Sequence, residues 1–169
     1  MQQKSSERPT AVILVGLPAS GKTHYIQHVL LGQYPDAVVL STDAYIERFA
    51  KKLHATYSEV FDRCMGAAIR LMMRAHRKAY AKKQNIIWDQ TSLTVNSRRK
   101  KFNALRGYDL IAVVLDTADT LIDQRITQRP GKVIPAHVLR QMRASYVKPA
   151  FHEGFTRIIF TTNQVKDNS

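Results

Sequence analysis

Directly after the apolar run Ala11–Val15 stand the eight residues Gly16-Leu17-Pro18-Ala19-Ser20-Gly21-Lys22-Thr23. They fit the pattern G-x-x-x-x-G-K-[S/T] without a gap, and no other stretch limits the fold so tightly. A strand must end at a glycine-framed loop that delivers the chain straight into a helix N-terminus, half of a parallel βα unit. In such a loop successive backbone N–H groups turn inward and make a nest for a polyphosphate at the positive end of the helix. Gly16 and Gly21 are expected to supply positive φ and room for close approach. Gly16, Pro18, Ala19, Ser20, Gly21, Lys22 and Thr23 are thus the candidate nucleotide-binding residues. Lys22 would reach the β/γ-phosphates and the Thr23 hydroxyl would ligate magnesium, so ATP and Mg²⁺ are the expected cofactors.

The rest of the chain alternates short apolar runs with longer helical patterns. Strands are expected at 11–15, 37–40, 86–88, 110–115 and 157–161, and helices at about 22–31, 44–54, 57–83, 97–105, 119–128 and 135–147. Runs such as Val113-Val114-Leu115 lack polar alternation, as in parallel strands covered on both faces. The reading is an α/β domain with a doubly wound parallel sheet, a P-loop NTPase/kinase fold with an arginine-bearing helical lid. The domain would cover residues 10–162, after a disordered lead-in at 1–9 and before a polar tail at 163–169. At 169 residues a chain buries about 70% of its unfolded surface. The lone Cys64 reads as core filler and favours a reducing compartment. With neither a signal peptide nor an apolar run of membrane-span length, the expected location is cytoplasmic, with no membrane partner.

Charge is the second strong signal. Lys and Arg number 26 against 13 Asp and Glu, a net +13, which suits a polyanion partner better than a small metabolite. Thr56-Tyr57-Ser58-Glu59 is a capping-box start, and the helix it opens has Phe61, Met65, Ala68, Met72, Ala75 and Ala79 on one face. Opposite them Arg63, Arg70, Arg74 and Arg77 lie within roughly 60° of one another. No Asp or Glu occurs from Arg63 to Trp88, so no acid offsets their repulsion, and the row reads as a surface that tracks phosphates. A second basic cluster, Arg98-Arg99-Lys100-Lys101, follows a helix start at Asn96/Ser97.

Ligands in open parallel sheets sit beyond the carboxyl ends of the strands, where Asp43, Asp89 and Asp116 are expected. Phosphoryl transfer needs a carboxylate to orient and deprotonate an incoming hydroxyl, and cations around the moving phosphoryl. Asp43 and Asp89 are the candidates, a Walker-B role being the competing use of Asp89. Asp116 could cap a helix from Thr117 and receives no chemical role. Asp43 could itself be an N-cap, or Ser41 and Thr42 could serve there. Arg125 and Arg129, four apart at a helix end before Pro130-Gly131, would aim two guanidinium groups from a lid.

Together these residues resemble the kinase domain of the phage-type polynucleotide 5′-hydroxyl kinases. The likeness runs from about Ala11 to Tyr146. It includes Thr42-Asp43-Ala44-Tyr45, Asp89-Gln90-Thr91-Ser92-Leu93, Arg98-Arg99, Arg125 to Arg129, and Val133-Ile134-Pro135 with Val138-Leu139-Arg140-Gln141-Met142. The resemblance implies that Asp43 is the general base, with Lys22 and Thr23 holding the donor phosphates and magnesium. It also implies that Asp89 contacts the acceptor and that Arg125 and Arg129 close over the phosphates. Asp89, Thr91, Ser92, Arg70 and Arg74 are the acceptor-binding candidates, and the acceptor is the 5′-OH of DNA or RNA. Two positions depart from the family: Ser92 stands where Asn is common, and Ile46 where an arginine grips the acceptor phosphate. They keep open a related reading, a phage-type kinase acting on 5-hydroxymethyluracil bases in DNA, which needs base extrusion or single-stranded access. A small-metabolite kinase and a nucleotide-dependent switch are the remaining alternatives. An oligomer is possible, although no patch indicates one.

Overall fold

The computed structural model describes residues 8–161; most of the expected lead-in and the whole polar tail lie outside them. Five strands, β1 (Thr10–Val15), β2 (Val38–Leu40), β3 (Ile86–Trp88), β4 (Asp109–Leu115) and β5 (Arg157–Thr161), form one sheet in the order β2-β3-β1-β4-β5. Every pairing is parallel. The central strand β1 is buried on both faces, which its uninterrupted apolar sequence requires. Residues of one parity, Ala11, Ile13, Val15, Ile86, Trp88, Ala112 and Val114, pack into one core. Those of the other parity, Val12, Leu14, Ile87, Val113 and Leu115, pack into a second core with Ile26 and Leu30. The two faces follow from the period of two along a strand.

From β1 the chain runs through the loop into α1 (Lys22–Tyr25), a π-helical segment (Ile26–Leu30) and α2 (Leu31–Gln33). After β2 come α3 (Thr42–Lys52) and α4 (Tyr57–Ala81), after β3 α5 (Val95–Ala104), and after β4 α6 (Asp119–Thr127) and α7 (Ala136–Ala144). Because β1 lies between β3 and β4, the β1–β2 and β3–β4 connections leave in opposite directions. That reversal opens a crevice above the carboxyl ends of β1 and β3, the usual ligand position in such sheets.

Several local expectations are corrected by packing. The buried stripe of α4 is Val60, Cys64, Ala68, Met72, His76 and Ala79, an i,i+4 ridge instead of the straighter face expected. Phe61 is exposed while Met65 and Ala75 are only partly buried. The N-terminal half of α4 packs on Ile46 and Ala50 of α3, not on the sheet, so its buried row turns with the ridge that fills this second contact. Cys64 is buried in that cluster, as expected of filler.

The second basic cluster divides as well. Arg98 is fully buried and Lys101 is 6% exposed, while Arg99 and Lys100 face solvent. Arg98 donates to both carboxylate oxygens of Glu153 at 2.7 Å and to the carbonyls of Ser92, Leu93 and Val147. It braces the β3–α5 loop against the C-terminal segment and is no surface cation. The N-cap of α5 is Thr94, whose hydroxyl accepts from Ser97 N–H, not Asn96 or Ser97. Asp116 is no cap either, since α6 begins at Asp119 after Ala118.

Candidate active site

The loop Gly16–Gly21 is built as its spacing requires, although the two glycines have different reasons. Gly21 lies in the left-handed region at φ +93° and caps α1. Gly16 does not have positive φ; a Cβ there would stand 2.7 Å from Ser20 Oγ and 3.2 Å from Leu115, so closeness alone excludes a side chain. The remaining left-handed residue of the loop is Ala19, at φ +63°, a conformation that costs a non-glycine residue of order 1 kcal/mol or more. The loop is held from outside: Thr117 Oγ1 donates to the Ser20 carbonyl at 3.0 Å and Arg125 Nη1 to the Ala19 carbonyl at 3.2 Å. Gly16 N–H donates to the Thr91 carbonyl at 3.0 Å, which fastens the loop to the segment after β3.

The Lys22 ammonium donates to the carbonyls of Gly16 and Leu17 at 2.9 and 2.7 Å. Burial lowers its pKa to about 8, against the attraction of Asp89 and Asp43 and with the repulsion of Arg129 and Lys132. All four neighbouring charges thus bear on the Lys22 ammonium. Thr23, the next residue, is exposed. Narrow space at Gly16, left-handed turns at Ala19 and Gly21, a lysine over the loop and an accessible hydroxyl after it fit a polyphosphate with its metal ion.

Two carboxylates face this loop, and their surroundings differ. Asp43 sits in the first turn of α3, capped not by it but by Ser41, whose Oγ accepts from Ala44 N–H at 3.3 Å. Relieved of that task, Asp43 Oδ1 accepts from the Tyr57 hydroxyl at 2.8 Å and Oδ2 from Lys132 Nζ at 2.6 Å. Its side chain is nevertheless 50% exposed. Burial pushes its pKa up, but Lys132, Tyr57 and Lys22 outweigh that and hold the group below the ordinary carboxylate value. Asp89 is moved the other way: burial raises its pKa, and Lys22 and a hydrogen bond from Ser41 only partly offset the rise. Burial and the nearby Asp43 carboxylate keep the Tyr57 phenol protonated.

Lys132 and Tyr57 are site residues that the sequence reading missed. Lys132 follows Gly131, which turns at φ +70° against Thr56, where a Cβ would meet that side chain at 3.0 Å. Ser58 N–H donates to the Gly131 carbonyl at 3.0 Å, and Val133 N–H to Ser58 Oγ at 2.9 Å. The capped start of α4 thereby carries the 131–133 turn and sets the Lys132 ammonium 4.0 Å from the Tyr57 ring centroid. The one signal in the sequence is that Lys132 follows Arg125 and Arg129 directly beyond Pro130-Gly131.

The other expected residues are placed unevenly. Arg125 is on α6 beside the loop, whereas Arg129 stands past the end of the helix, its N–H bonded to the Ile126 carbonyl. The pair therefore does not share one helical face. Ser92 is buried with φ +49°; asparagine tolerates this left-handed conformation better than serine, which explains why Asn suits the position. Ile46 is fully buried among Ala50, Val60 and Cys64, so this position looks into the α3–α4 packing and away from the cleft. Arg70 and Arg74 are exposed on α4, and no hydrogen bond or ion pair connects them to the cleft among the described residues.

A five-stranded parallel sheet in this order, with the phosphate loop after its central strand, is the P-loop kinase fold. The chain belongs to the AAA_33 family of AAA domains, whose model matches residues 12–149. Among solved structures it is similar to a protein provisionally named a kinase from Chloroflexus aurantiacus J-10-fl, with TM-score 0.67 and 19% identity over 91% of this chain and 85% of that one. It is also similar to a chain of the Pnkp1/Rnl/Hen1 RNA repair complex, with TM-score 0.61 and 19% identity over 86% of this chain and 46% of that one. A gluconokinase from Sinorhizobium meliloti 1021 matches with TM-score 0.54 and 18% identity over 91% of this chain and 82% of that one. Likeness at these identities establishes the fold and leaves the acceptor to chemistry. Among the described residues no helix is long and apolar enough to cross a membrane.

Proposed function

We propose that this chain is an ATP- and Mg²⁺-dependent phosphotransferase whose acceptor is a nucleic-acid hydroxyl, the 5′-OH of DNA or RNA. The observation that carries the reading is the Asp43 carboxylate: ionised, half-open to solvent and close enough to feel the Lys22 charge. ATP with Mg²⁺ supplies the phosphoryl group and neutralises part of its charge. The backbone of Gly16–Gly21 holds the donor phosphates, Lys22 leaves its loop carbonyls to reach them, and Thr23 offers the metal its hydroxyl. Asp43 orients the acceptor hydroxyl and takes its proton at a carboxylate oxygen. Tyr57 and Lys132 hold that carboxylate in place, and Arg125 and Arg129 flank the donor phosphates. Asp89 and Thr91 form the acceptor wall, and buried Ser92 shapes the loop behind them instead of touching the acceptor.

The choice of a nucleic acid rests on charge: a net +13 and the acid-free row Arg63, Arg70, Arg74 and Arg77, all exposed on α4. Fully buried Ile46 favours a second acceptor, 5-hydroxymethyluracil within DNA, because that position cannot grip an end phosphate. Transfer from γ-labelled ATP, assayed with 5′-OH DNA, 5′-OH RNA, hydroxymethyluracil duplex and free nucleosides or sugars, tests the proposal. Label at 5′ ends is the expected result. Internal label confined to the modified duplex selects the second acceptor. Label on small metabolites alone refutes both and aligns the chain with kinases such as the gluconokinase.

A further inference from the structure

Lys101 presents a problem that the phosphate loop does not explain. Its side chain is buried, at 6% exposure, yet its ammonium makes one long hydrogen bond, to the Ser97 carbonyl at 3.3 Å. No carboxylate pairs with it among the described residues. One turn away Arg98, equally buried, has five donor contacts including both oxygens of Glu153. A buried cation without a counter-charge is expensive unless an anion completes its surroundings. Burial, with repulsion from Arg98 and Lys100, lowers the Lys101 pKa to about 8, the direction that an incoming anion would reverse.

That ammonium borders a cavity of about 460 Å³ between α4 and α5, lined also by Met73, Trp88, Gln90 and Lys100. The volume is within the range of small-molecule sites. Lys100 and Lys101 bring cationic groups to its lining and Trp88 and Met73 an indole and a thioether, with the Lys101 ammonium 5.8 Å from the Trp88 ring centroid, a weak contact that leaves its charge without an anion. The Gln90 amide oxygen accepts from Trp88 Nε1 at 3.0 Å, while its nitrogen spends a donor on the Met72 sulfur at 3.9 Å, a weak bond that a better acceptor would replace. Trp88 and Gln90 flank Asp89 in the chain, so the cavity adjoins the acceptor wall. Arg70 and Arg77 are three and four residues from Met73, on neighbouring rows of the same helix, and both are exposed.

We propose that this cavity holds one nucleotide of the acceptor strand beyond the reacting end, its phosphate on Lys101 and Lys100 and its base against Met73 and Trp88, with Gln90 on the base edge. The assignment rests on the nucleic-acid reading above and names a subsite for it. The strand then leaves the Asp43–Asp89 cleft past Gln90 and continues along the arginine row of α4.

Trp88 is the only tryptophan and reports directly on this cavity. Titrating the protein with a short single-stranded 5′-OH oligodeoxythymidine should change its fluorescence to saturation. Lys101→Met should weaken that binding about 10-fold or more, as expected for a lost charge-assisted contact. ATP affinity and melting temperature should not fall, since methionine removes a buried charge and keeps the volume. Lys100→Ala should weaken the oligonucleotide less. Normal oligonucleotide affinity in Lys101→Met, with wild-type phosphorylation of the same oligonucleotide intact, overturns the subsite. So does a wild-type signal that inorganic phosphate reproduces and the oligonucleotide does not improve. Absence of transfer to any oligonucleotide by the wild type is a different failure, that of the nucleic-acid reading itself.

Discussion

Two carboxylates in this molecule are each gripped by a cation, and they are used in opposite ways. Glu153 receives Arg98 at 2.7 Å with side-chain exposures of 3% and 0%. Asp43 receives Lys132 at 2.6 Å, but the aspartate is 50% exposed and the lysine 15%. Both carboxylates are pushed up by burial and pulled further down by their cations. The sealed pair is closed off by protein, with every nitrogen of the guanidinium bonded to a protein oxygen, and can only brace. The open pair is held by two side-chain donors that solvent reaches, so the carboxylate can exchange one of them for a substrate hydroxyl. Accessibility, more than pairing, separates a strut from a reactive group.

The sharpest way to break this contrast is to remove each acid and measure stability. Glu153→Ala leaves the Arg98 charge buried and unpaired and should cost about 3–5 kcal/mol in chemical denaturation. The same experiment on Asp43→Asn should cost less than about 1 kcal/mol, as for an exposed pair. Equal losses would abolish the distinction between the two pairs.

The exposed arginines extend the comparison to cations that no acid restrains. Arg70→Ala with Arg74→Ala should weaken single-stranded oligonucleotide binding roughly 10-fold and reduce the slope of log K against log salt by about 1.4. An unchanged slope assigns this face to solvent.

Lys132→Met gives the smallest effect, less than about 1 kcal/mol. Its sign with pH is definite. The folded pKa of Asp43 is depressed, so its stabilisation is present above the ordinary value of 3.8 and is lost as pH falls through the folded value. Without Lys132 the folded pKa rises, and the variant should differ from wild type at pH 7 but converge with it in strong acid. The acid limb of the transfer rate should move to higher pH in the same variant. A difference that persists in strong acid would mean that Lys132 acts through packing on Tyr57 and not through charge.

What could be read from the sequence was local. The phosphate loop was legible because its spacing is local, although the closeness of Leu115 that requires Gly16 was not, and β1 and β4 were legible because continuous apolar runs admit little else. The capping box at Thr56 and Glu59 was legible for the same reason. Lys132 was not, because its meaning depends on Asp43, 89 residues away, brought near only when Ser58 docks the Gly131 turn. Arg98 misled because a guanidinium in a basic run looks solvated until Glu153, 55 residues on, closes over it. The arginine row of α4 needed only helical period and was placed correctly on the exposed face. The expected Phe61 side of that helix failed because α3, not the sheet, decides what its first turns bury.

The most direct measurement of the central claim is single-turnover transfer from γ-labelled ATP to a 5′-OH oligonucleotide by Asp43→Asn, with nucleotide affinity measured on the same sample. Loss of the proton acceptor should slow transfer by about 10²- to 10⁴-fold with ATP binding nearly unchanged. Transfer at the wild-type rate would contradict the account, because the open carboxylate would then have no part in the chemistry.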